Sequence, residues 1–341
     1  MVTVHRHIVE VLHADGTTER CRLHGRFRVD SCRGEGVLVG DRALLGPRRP
    51  LPAPGMPPGP RTVLGIAPRI TLLRRHLTSR TDGRVQGDLA VAANVELCLL
   101  VQSYGAPAFR PATADRLIAL ARASGIPGVL VLNKVEGAPP EGVEGLLAPY
   151  RRLGIEGFAV SALRGTGLEA LANRVAGRLT VLLGPSGVGK SALTAALTVG
   201  EGPASAPLSE ARLRAGRGRH TTTGSRLYPL RGGGYIIDTA GIRSLSLPEG
   251  ATADAAFPEV AAAALGCRFT DCGHRAEPGC AVRAAVAGGR LPRPAYEGWL
   301  RVTGDLQSRP AGRGYTRPGG RRRKGPGLRG RPAPDDPADG S

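Results

Sequence analysis

Three glycines, one lysine and two serines stand within residues 184–191, and the segment fits the phosphate-binding pattern G-x(4)-G-K-[ST] at every defined position. In this pattern the backbone N–H groups of the loop surround a phosphate at the N-terminus of a helix. Lys190 is expected to reach the β- and γ-phosphates as a catalytic cation, and the Ser191 hydroxyl to bind Mg²⁺. A glycine-rich turn could match by chance, but an apolar run, 179–183, precedes the motif and a helical stretch, 192–197, follows it. The predicted nucleotide contacts are Gly184, Pro185, Ser186, Gly187, Val188, Gly189, Lys190, Ser191 and Ala192.

A second phosphate-side element is the sequence D-T-A-G, which begins at Asp238 and follows the apolar run 235–237. Its carboxylate is expected to hold Mg²⁺ through water, and the N–H of Gly241 to contact the γ-phosphate. Between this element and the phosphate loop lies R-H-T-T-T, in a segment rich in Gly and Arg. A switch segment in this place supplies a threonine to Mg²⁺ and the γ-phosphate. Thr221 and Thr222 are both candidates for this magnesium ligand, and a solvated loop is the alternative.

Two further motifs point to the base of the nucleotide. Residues 133–136 read N-K-V-E after the apolar run 129–132 and resemble the guanine-reading element N-K-x-D. The carboxylate here is one methylene longer, so accepting both hydrogen bonds from guanine requires a backbone adjustment, and looser base selectivity is expected. The sequence S-A-L after the run 158–160 resembles the loop whose backbone N–H contacts guanine O6. The residues assigned to the base are Asn133, Lys134, Val135, Glu136, Ser161 and Ala162.

The order of these motifs along the chain is unusual. Ordinary GTPases present the phosphate loop first, followed by the switch threonine, D-x-x-G, N-K-x-D and S-A. Here N-K-x-E and S-A precede the phosphate loop, the threonines and D-x-x-G. The same sheet can be built when the chain ends are moved, because termini at the surface permit circular permutation. The sequence therefore predicts a circularly permuted P-loop α/β GTPase domain.

Cys267, Cys272, His274 and Cys280 place four soft ligands within fourteen residues. Three thiolates and one imidazole form a typical tetrahedral set for a structural zinc ion. We therefore predict one zinc per chain, with disulfide bonding among these cysteines as the alternative. The other cysteines, Cys21, Cys32 and Cys98, lie in strand-like apolar settings and are expected to be packing residues.

The elements that must position these motifs follow from the apolar pattern. Five short apolar runs, separated by helical stretches, are typical of a buried parallel sheet. These runs are 98–102, 129–132, 158–160, 179–183 and 235–237. Upstream of them the chain reads as short strands interrupted by a Gly- and Pro-rich loop at 46–60, which suits a small β-barrel of the oligonucleotide-binding (OB) type. A generic β-domain fits that upstream pattern almost as well.

The predicted fold is therefore multi-domain, with a barrel, a GTPase domain and a helical domain that holds zinc. The last segment has almost no apolar residues and is expected to be disordered, because it cannot bury enough surface to offset its chain entropy. The predicted boundaries are 1–80 for the OB-type β-barrel, 81–250 for the permuted GTPase domain, 251–306 for the zinc-binding helical domain and 307–341 for the disordered basic tail.

Charge and composition narrow the choice of partners. The chain of 341 residues carries 47 Lys and Arg against 28 Asp and Glu, a formal charge of +19 that favours a polyanionic partner such as nucleic acid. No stretch approaches the 18 uncharged apolar residues of a membrane span, and no secretory signal is readable. Six cysteines in such a chain indicate a reducing compartment. We expect a cytoplasmic monomer without a membrane partner.

The combined motifs closely resemble those of the ribosome small subunit-dependent GTPase A family, over nearly the whole chain to about residue 306. The permuted order, R-H-T-T-T, D-T-A-G-I and C-x4-C-x-H-x5-C carry this resemblance. It implies an N-terminal OB-type barrel, one zinc, contacts with rRNA, and GTP hydrolysis to GDP and phosphate during late maturation of the small ribosomal subunit. Glu136, the Pro-rich loop and the basic tail depart from the family pattern.

The resemblance also bears on catalysis. Many GTPases carry a glutamine after D-x-x-G that orients the attacking water, whereas this chain has Ile242 there. Slow hydrolysis by the protein alone is expected. His220, beside the switch threonines, is the candidate that the family pattern favours as a replacement, and an exposed loop histidine is the alternative.

Two other functions stay open at this point. An RNA-binding module could use GTP as a locking ligand and barely hydrolyse it. A P-loop ATPase or kinase is disfavoured by N-K-x-E and S-A, because both elements read guanine.

Overall fold

A computed structural model describes residues 3–5, 8–25, 27, 36–47, 59–78, 86–199, 226–238 and 246–308. Several predictions from the sequence lie outside these residues. They concern His220, Thr221, Thr222, Gly241, Ile242 and Cys32, most of the Pro-rich loop and nearly all of the C-terminal tail.

The N-terminal strands form a five-stranded sheet in the order β1-β2-β3-β5-β4. Strands β3 and β5 pair in parallel, and the other neighbours pair antiparallel. Alternate side chains of β2 and β3 point inward, so that Val9, Val11 and Cys21 pack with Val37 and Val63 in a small core. Among the described residues β1 and β4 stand at the two edges without pairing to each other, and the barrel stays a prediction. The strands are β1 (Thr3–His5), β2 (Ile8–Leu12), β3 (Thr18–Leu23), β4 (Ala43–Leu45) and β5 (Thr62–Ile66).

An antiparallel hairpin follows, formed by β6 (Leu72–Thr78) and β7 (Gln86–Ala93). Its register shifts between Leu73 and Arg74. Leu73 is buried in the same apolar core as Cys98 and Leu100 of the central sheet described next, so the hairpin packs against that domain.

The central element is a six-stranded sheet in the order β10-β9-β8-β11-β13-β12. Five strands are parallel, and β12 alone runs antiparallel at one edge. All seven residues of β8 are buried, as expected for a strand covered on both faces. Each of the five apolar runs lies on one of the parallel strands, which confirms that prediction. The strands are β8 (Leu97–Ser103), β9 (Gly128–Asn133), β10 (Gly157–Ala159), β11 (Arg178–Leu183), β12 (Arg226–Pro229) and β13 (Gly234–Asp238).

Four helices cover the two faces of this sheet. Helices α1 (Pro111–Ala123) and α2 (Pro140–Arg151) contribute to the core on one face. Helices α3 (Leu168–Val175) and α4 (Lys190–Leu197) contribute to the core on the other face.

The C-terminal helices share the apolar core of the α1 face, where Phe257 is fully buried. Two ion pairs join the last helix to α1, one between Arg301 and Asp115 and one between Asp305 and Arg116. The helices are α5 (Ala253–Ala256), α6 (Pro258–Ala264), α7 (Ala281–Ala287) and α8 (Arg293–Gln307).

Candidate functional site

The predicted nucleotide motifs meet at one edge of the six-stranded sheet. Because β9, β10, β11 and β13 are parallel, their carboxyl ends lie at the same edge. From these ends the chain continues into residues 133–136, 161–162 and 184–191, and Asp238 is itself the last residue of β13. The chain leaves β8 toward β9 on one side and returns to β11 on the other, so the phosphate loop lies at the topological switch point. Ligands of open α/β sheets bind at such points.

At two positions of the phosphate loop, neighbouring atoms lie so close that only glycine fits. A Cβ on Gly184 would lie 2.3 Å from the carbonyl oxygen of Val101 on β8. Gly189 has φ +93°, and a Cβ there would lie 2.3 Å from Asn133 Nδ2. The loop therefore packs directly against β8 and the base-side motif, and helix α4 begins at Lys190 just beyond it.

The buried amide of Asn133 joins the phosphate loop to the two base-side loops. Its Nδ2 donates to the carbonyl oxygen of Val188 at 2.9 Å, and its Oδ1 accepts from the N–H of Ala162 at 3.1 Å. A single side chain on β9 thus connects all three nucleotide segments.

Lys134 hydrogen-bonds to two main-chain carbonyl groups, one of which belongs to the phosphate loop. It has φ +61°, and its Nζ donates to the carbonyl oxygens of Gly187 and Ala106, both at 2.6 Å. Pro107 lies beside Gly187, since a Cβ on that glycine would be 3.4 Å from its Cδ. The segment after β8 is therefore part of the site, although the sequence reasoning missed it. Its signal was a Gly-Ala-Pro turn at the end of an apolar run.

Lys190 and Asp238 form the polar centre of the phosphate side. Lys190 Nζ donates to the carbonyl oxygens of Gly184 at 2.9 Å and Pro185 at 2.7 Å. Burial lowers the pKa of Lys190, and the charge of Asp238 opposes this shift. Burial likewise raises the pKa of Asp238, against the opposing charge of Lys190. Asp238 Oδ1 is buried and has no hydrogen-bond partner among the described residues. A buried carboxylate oxygen in that condition fits Mg²⁺ with its water shell.

On the base side, Glu136 is exposed beside the buried Ser161. A hydrogen bond from the Ser161 hydroxyl lowers the pKa of Glu136, so this carboxylate is ionised at neutral pH. Ser161 Oγ also accepts from the N–H of Arg164 at 3.0 Å, which anchors the loop after β10.

This architecture can be compared with known proteins. Residues 66–248 match the model of the RsgA GTPase family. A protein of Gemmatimonas aurantiaca, the small ribosomal subunit biogenesis GTPase RsgA, is 34% identical over 302 residues, which cover 88% of this chain and 94% of that protein. The chain belongs to the RsgA GTPase family. GTP hydrolysis is the activity for which this family is named.

Solved structures agree with the fold of an RsgA GTPase. YjeQ from Thermotoga maritima superposes with a TM-score of 0.66 at 26% identity, over 91% of this chain and 98% of that one. YloQ, described as a circularly permuted GTPase, superposes with a TM-score of 0.62 at 21% identity, over 91% and 95% of the two chains. The permuted GTPase fold predicted from the motif order is confirmed.

A second site of this RsgA-family chain lies among its C-terminal helices. Sγ of Cys267 and Sγ of Cys280 each lie 3.5 Å from His274 Nδ1 and 4.0 Å from each other. With Cys272, these ligand atoms all lie within 4.8 Å of one another. The three thiols are free, so the alternative of disulfide bonding is not observed among them. The cluster can hold a metal ion.

Neighbouring residues hold the loop that carries these ligands. The Glu277 carboxylate accepts from the N–H groups of Gly273, Arg275 and Ala276 at 2.8–3.0 Å. A hydrogen bond from its own backbone N–H, together with these three, lowers its pKa to about 2. Tyr296 on α8 donates its hydroxyl to the carbonyl oxygen of His274 at 2.7 Å. This hydrogen bond attaches the ligand loop to α8.

Among the helices of the described residues, none has the length and apolar character needed to cross a membrane.

Proposed function

We propose that this chain hydrolyses GTP when it is docked on the small ribosomal subunit, and that it acts in late maturation of that subunit. The observation that carries the proposal is the meeting of the phosphate loop, N-K-x-E, S-A and Asp238 at one sheet edge, with Asn133 joining three of them. The proteins that share this chain's sequence over most of its length bear the name small ribosomal subunit biogenesis GTPase. The formal charge of +19 suits a partner made largely of rRNA.

On the phosphate side we assign Lys190 to the β- and γ-phosphates and Ser191 to Mg²⁺. In the described conformation Lys190 Nζ is held by two loop carbonyls, so bound phosphates would replace these partners with a stronger, charge-assisted interaction. Magnesium, when bound, would neutralise the charge that develops between the β- and γ-phosphates. Asp238 Oδ1 has no hydrogen-bond partner in the described part of the chain, and this supports its assignment to the water shell of that ion.

On the base side we assign guanine recognition to Glu136 and to a backbone N–H of the loop 161–163. Ser161 supports the longer carboxylate of Glu136, because its hydroxyl lies beside that group and lowers its pKa. Loosened selectivity for guanine remains the expectation from the extra methylene.

For the hydrolytic step we assign His220 to orienting water, and Thr221 or Thr222 to Mg²⁺ and the γ-phosphate. These residues and Gly241 lie outside the described part of the chain, and the assignments rest on sequence. Ile242 cannot orient water, so catalysis is expected to depend on the docked partner.

We assign a structural zinc ion to Cys267, Cys272, His274 and Cys280. A tetrahedral zinc with Zn–S near 2.3 Å and Zn–N near 2.0 Å places two sulfurs about 3.8 Å apart and sulfur about 3.5 Å from nitrogen. The distances of 4.0 Å and 3.5 Å in the cluster support this assignment. Zinc would stabilise the loop between α6 and α7.

The remaining assignments concern the domains, the contacts with rRNA, the oligomeric state and the location. An OB-type barrel at 1–80, the boundaries 81–250, 251–306 and 307–341, direct rRNA contacts, a monomeric state and a cytoplasmic location complete the proposal. Support for the barrel comes from the five-stranded sheet with its parallel β3–β5 pair.

The experiment that tests the proposal compares GTP turnover by the purified chain with and without small ribosomal subunits. Stimulation by at least tenfold, with large subunits as the control, is the expected result. GTP binding to subunit-bound protein without stimulated turnover would instead favour an RNA-binding module locked by GTP. A GTP/ATP competition assay tests the choice of base in the same preparation.

A further inference from the structure

The turn that follows β8 is closed by side chains of that strand. Ser103, the last residue of β8, is fully buried, and its hydroxyl donates to the carbonyl oxygen of Pro107. Next to it, the buried Gln102 donates its Nε2 to the carbonyl oxygen of Arg110 at 3.1 Å. Two side-chain donors of one strand therefore hold the turn 104–110 in place.

Contacts with neighbouring elements hold both ends of the same turn. The N–H of Tyr104 donates to the carbonyl oxygen of Asn133 at 2.9 Å. At the other end, the ring of Phe109 packs edge-on against Tyr150 of α2, with the ring centroids 5.9 Å apart. Residues 105–108 between these points are exposed, so hydrogen bonds rather than burial set their position.

One ammonium group joins this turn to the phosphate loop. Lys134 Nζ donates both to the carbonyl oxygen of Ala106 in the turn and to the carbonyl oxygen of Gly187 in the loop, each at 2.6 Å. The backbone of Lys134 has a φ of +61°, which costs free energy in a residue other than glycine, so surrounding contacts must stabilise it. The two hydrogen bonds of its side chain are contacts of this kind.

The position of Gly187 matters because the phosphate loop binds through its backbone. Several N–H groups of the loop must point toward one phosphate, and the φ of +87° at Gly187 gives the chain the required turn. Pro107 also lies beside this glycine, since a Cβ on Gly187 would be 3.4 Å from the proline Cδ. A loop that is already held in this shape loses less conformational entropy when a phosphate binds.

We infer that Ser103 is a positioning residue for the phosphate loop. Its hydroxyl fixes the turn so that the carbonyl oxygen of Ala106 meets Lys134, and Lys134 in turn holds Gly187. The inference rests on the proposed function in one respect only, the assignment of residues 184–191 to the phosphates of the nucleotide. It follows that Ser103 contributes to the binding of the β-phosphate and has little effect on the binding of the base. A residue with a merely structural role would not distinguish between these two parts of the nucleotide.

The test measures the affinities of Ser103→Ala for GDP and for GMP, which lacks the β-phosphate, by displacement of fluorescent GDP in the presence of Mg²⁺. We expect about a fivefold loss of affinity for GDP, the scale of one neutral hydrogen bond, and a change of less than about 1.5-fold for GMP. The ratio of the two affinities should therefore fall by about threefold or more. Ser103→Cys keeps nearly the same side-chain volume but has only a weak donor, so it should behave like the alanine variant. It also provides the measurement if Ser103→Ala does not fold.

Thr71→Ala is the matched control. The Thr71 hydroxyl donates to the carbonyl oxygen of Val95 at 2.6 Å, just before β8 and therefore at the end of that strand opposite Ser103. This variant should lose a similar free energy of unfolding in urea and leave the ratio of the two affinities unchanged. A ratio that falls by less than about threefold in both Ser103 variants, or by the same factor in Thr71→Ala, would overturn the inference. Because the readout is binding, failure of subunit-stimulated turnover in the wild type would refute the proposed function and leave this test intact.

Discussion

Replacing Asn133 with alanine removes the amide that joins the phosphate loop to the base-side loop. The variant loses the bond to Val188 O at 2.9 Å and the bond from Ala162 N at 3.1 Å. Each such bond contributes about 1 to 1.5 kcal/mol net. The two together amount to about 2 to 3 kcal/mol, or about 30- to 150-fold in an equilibrium constant.

We expect this loss to appear in nucleotide affinity. Without the amide, the nucleotide itself must bring the two loops together. The free energy needed to order the loops then reduces the free energy of binding. GDP and GTP use the same loops, and their affinities should therefore fall by the same factor. Titration with fluorescent GDP and a fluorescent non-hydrolysable GTP analogue measures both constants.

Asn94 provides the control for loss of stability alone. It is also a buried asparagine with two main-chain partners, since its Oδ1 accepts from Ile70 N at 2.9 Å and its Nδ2 donates to Gly40 O at 3.0 Å. It precedes β8 and lies at the edge of the sheet opposite the nucleotide site. Asn94→Ala should destabilise the protein to a similar degree in urea unfolding and leave affinity within twofold. Affinity within threefold of wild type in Asn133→Ala, or an equal loss in Asn94→Ala, would refute the reasoning.

Four further predictions concern other parts of the chain. Cys272→Ser should abolish the one zinc per chain that atomic absorption should find in wild type and unfold the ligand loop, while GTP affinity persists; metal-free wild-type protein purified without chelator would contradict this. His220→Ala should lower subunit-stimulated turnover by about 10²-fold with little change in GTP affinity, and stimulated turnover within threefold of wild type would remove its catalytic role. Affinity for small subunits should fall steeply with salt, and deleting residues 308–341 should weaken it modestly without changing GTP affinity; loss of nucleotide binding in that truncation would contradict a peripheral tail. Burial raises the pKa of Asp115 to about 6. Between about pH 4 and 6 the folded state therefore keeps a proton that the unfolded state releases. As a result, the free energy of unfolding falls as the pH rises through this range. Asp115→Asn should reduce this dependence of the free energy of unfolding on pH, measured by urea unfolding. The same pH dependence in the variant and the wild type would contradict the prediction.

Some of the protein could be read from the sequence because the information is local. The phosphate loop, N-K-x-E and the Cys/His cluster each need only a few residues at short spacing, since adjacent backbone groups or ligands do the chemistry. The five apolar runs predicted five strands for a similar reason, because a strand covered on both faces must be apolar throughout. The order of the motifs then predicted the permutation, because it depends only on chain connectivity.

Other features depend on segments that the sequence does not bring together. Strand β12 has the mixed sequence R-L-Y-P and forms at the sheet edge only because β13 supplies its partner. The zinc ligand set was predicted, but its attachment to α8 through Tyr296 depends on the packing of two helices.

The nucleotide site shows the same division most clearly. The sequence predicted that Asn133 belongs to the base-reading motif, but its bond to Val188 spans 55 residues and exists only because β9 and β11 end at the same edge. The Ala106–Pro107 turn matches no motif, because a hydrogen bond between distant segments constrains the position of a residue more than its type. Residue types at short spacing determined which chemistry this chain carries. The tertiary structure decided which residues hold that chemistry in place, since hydrogen bonds and packing act over a few ångströms in space whatever the separation along the chain.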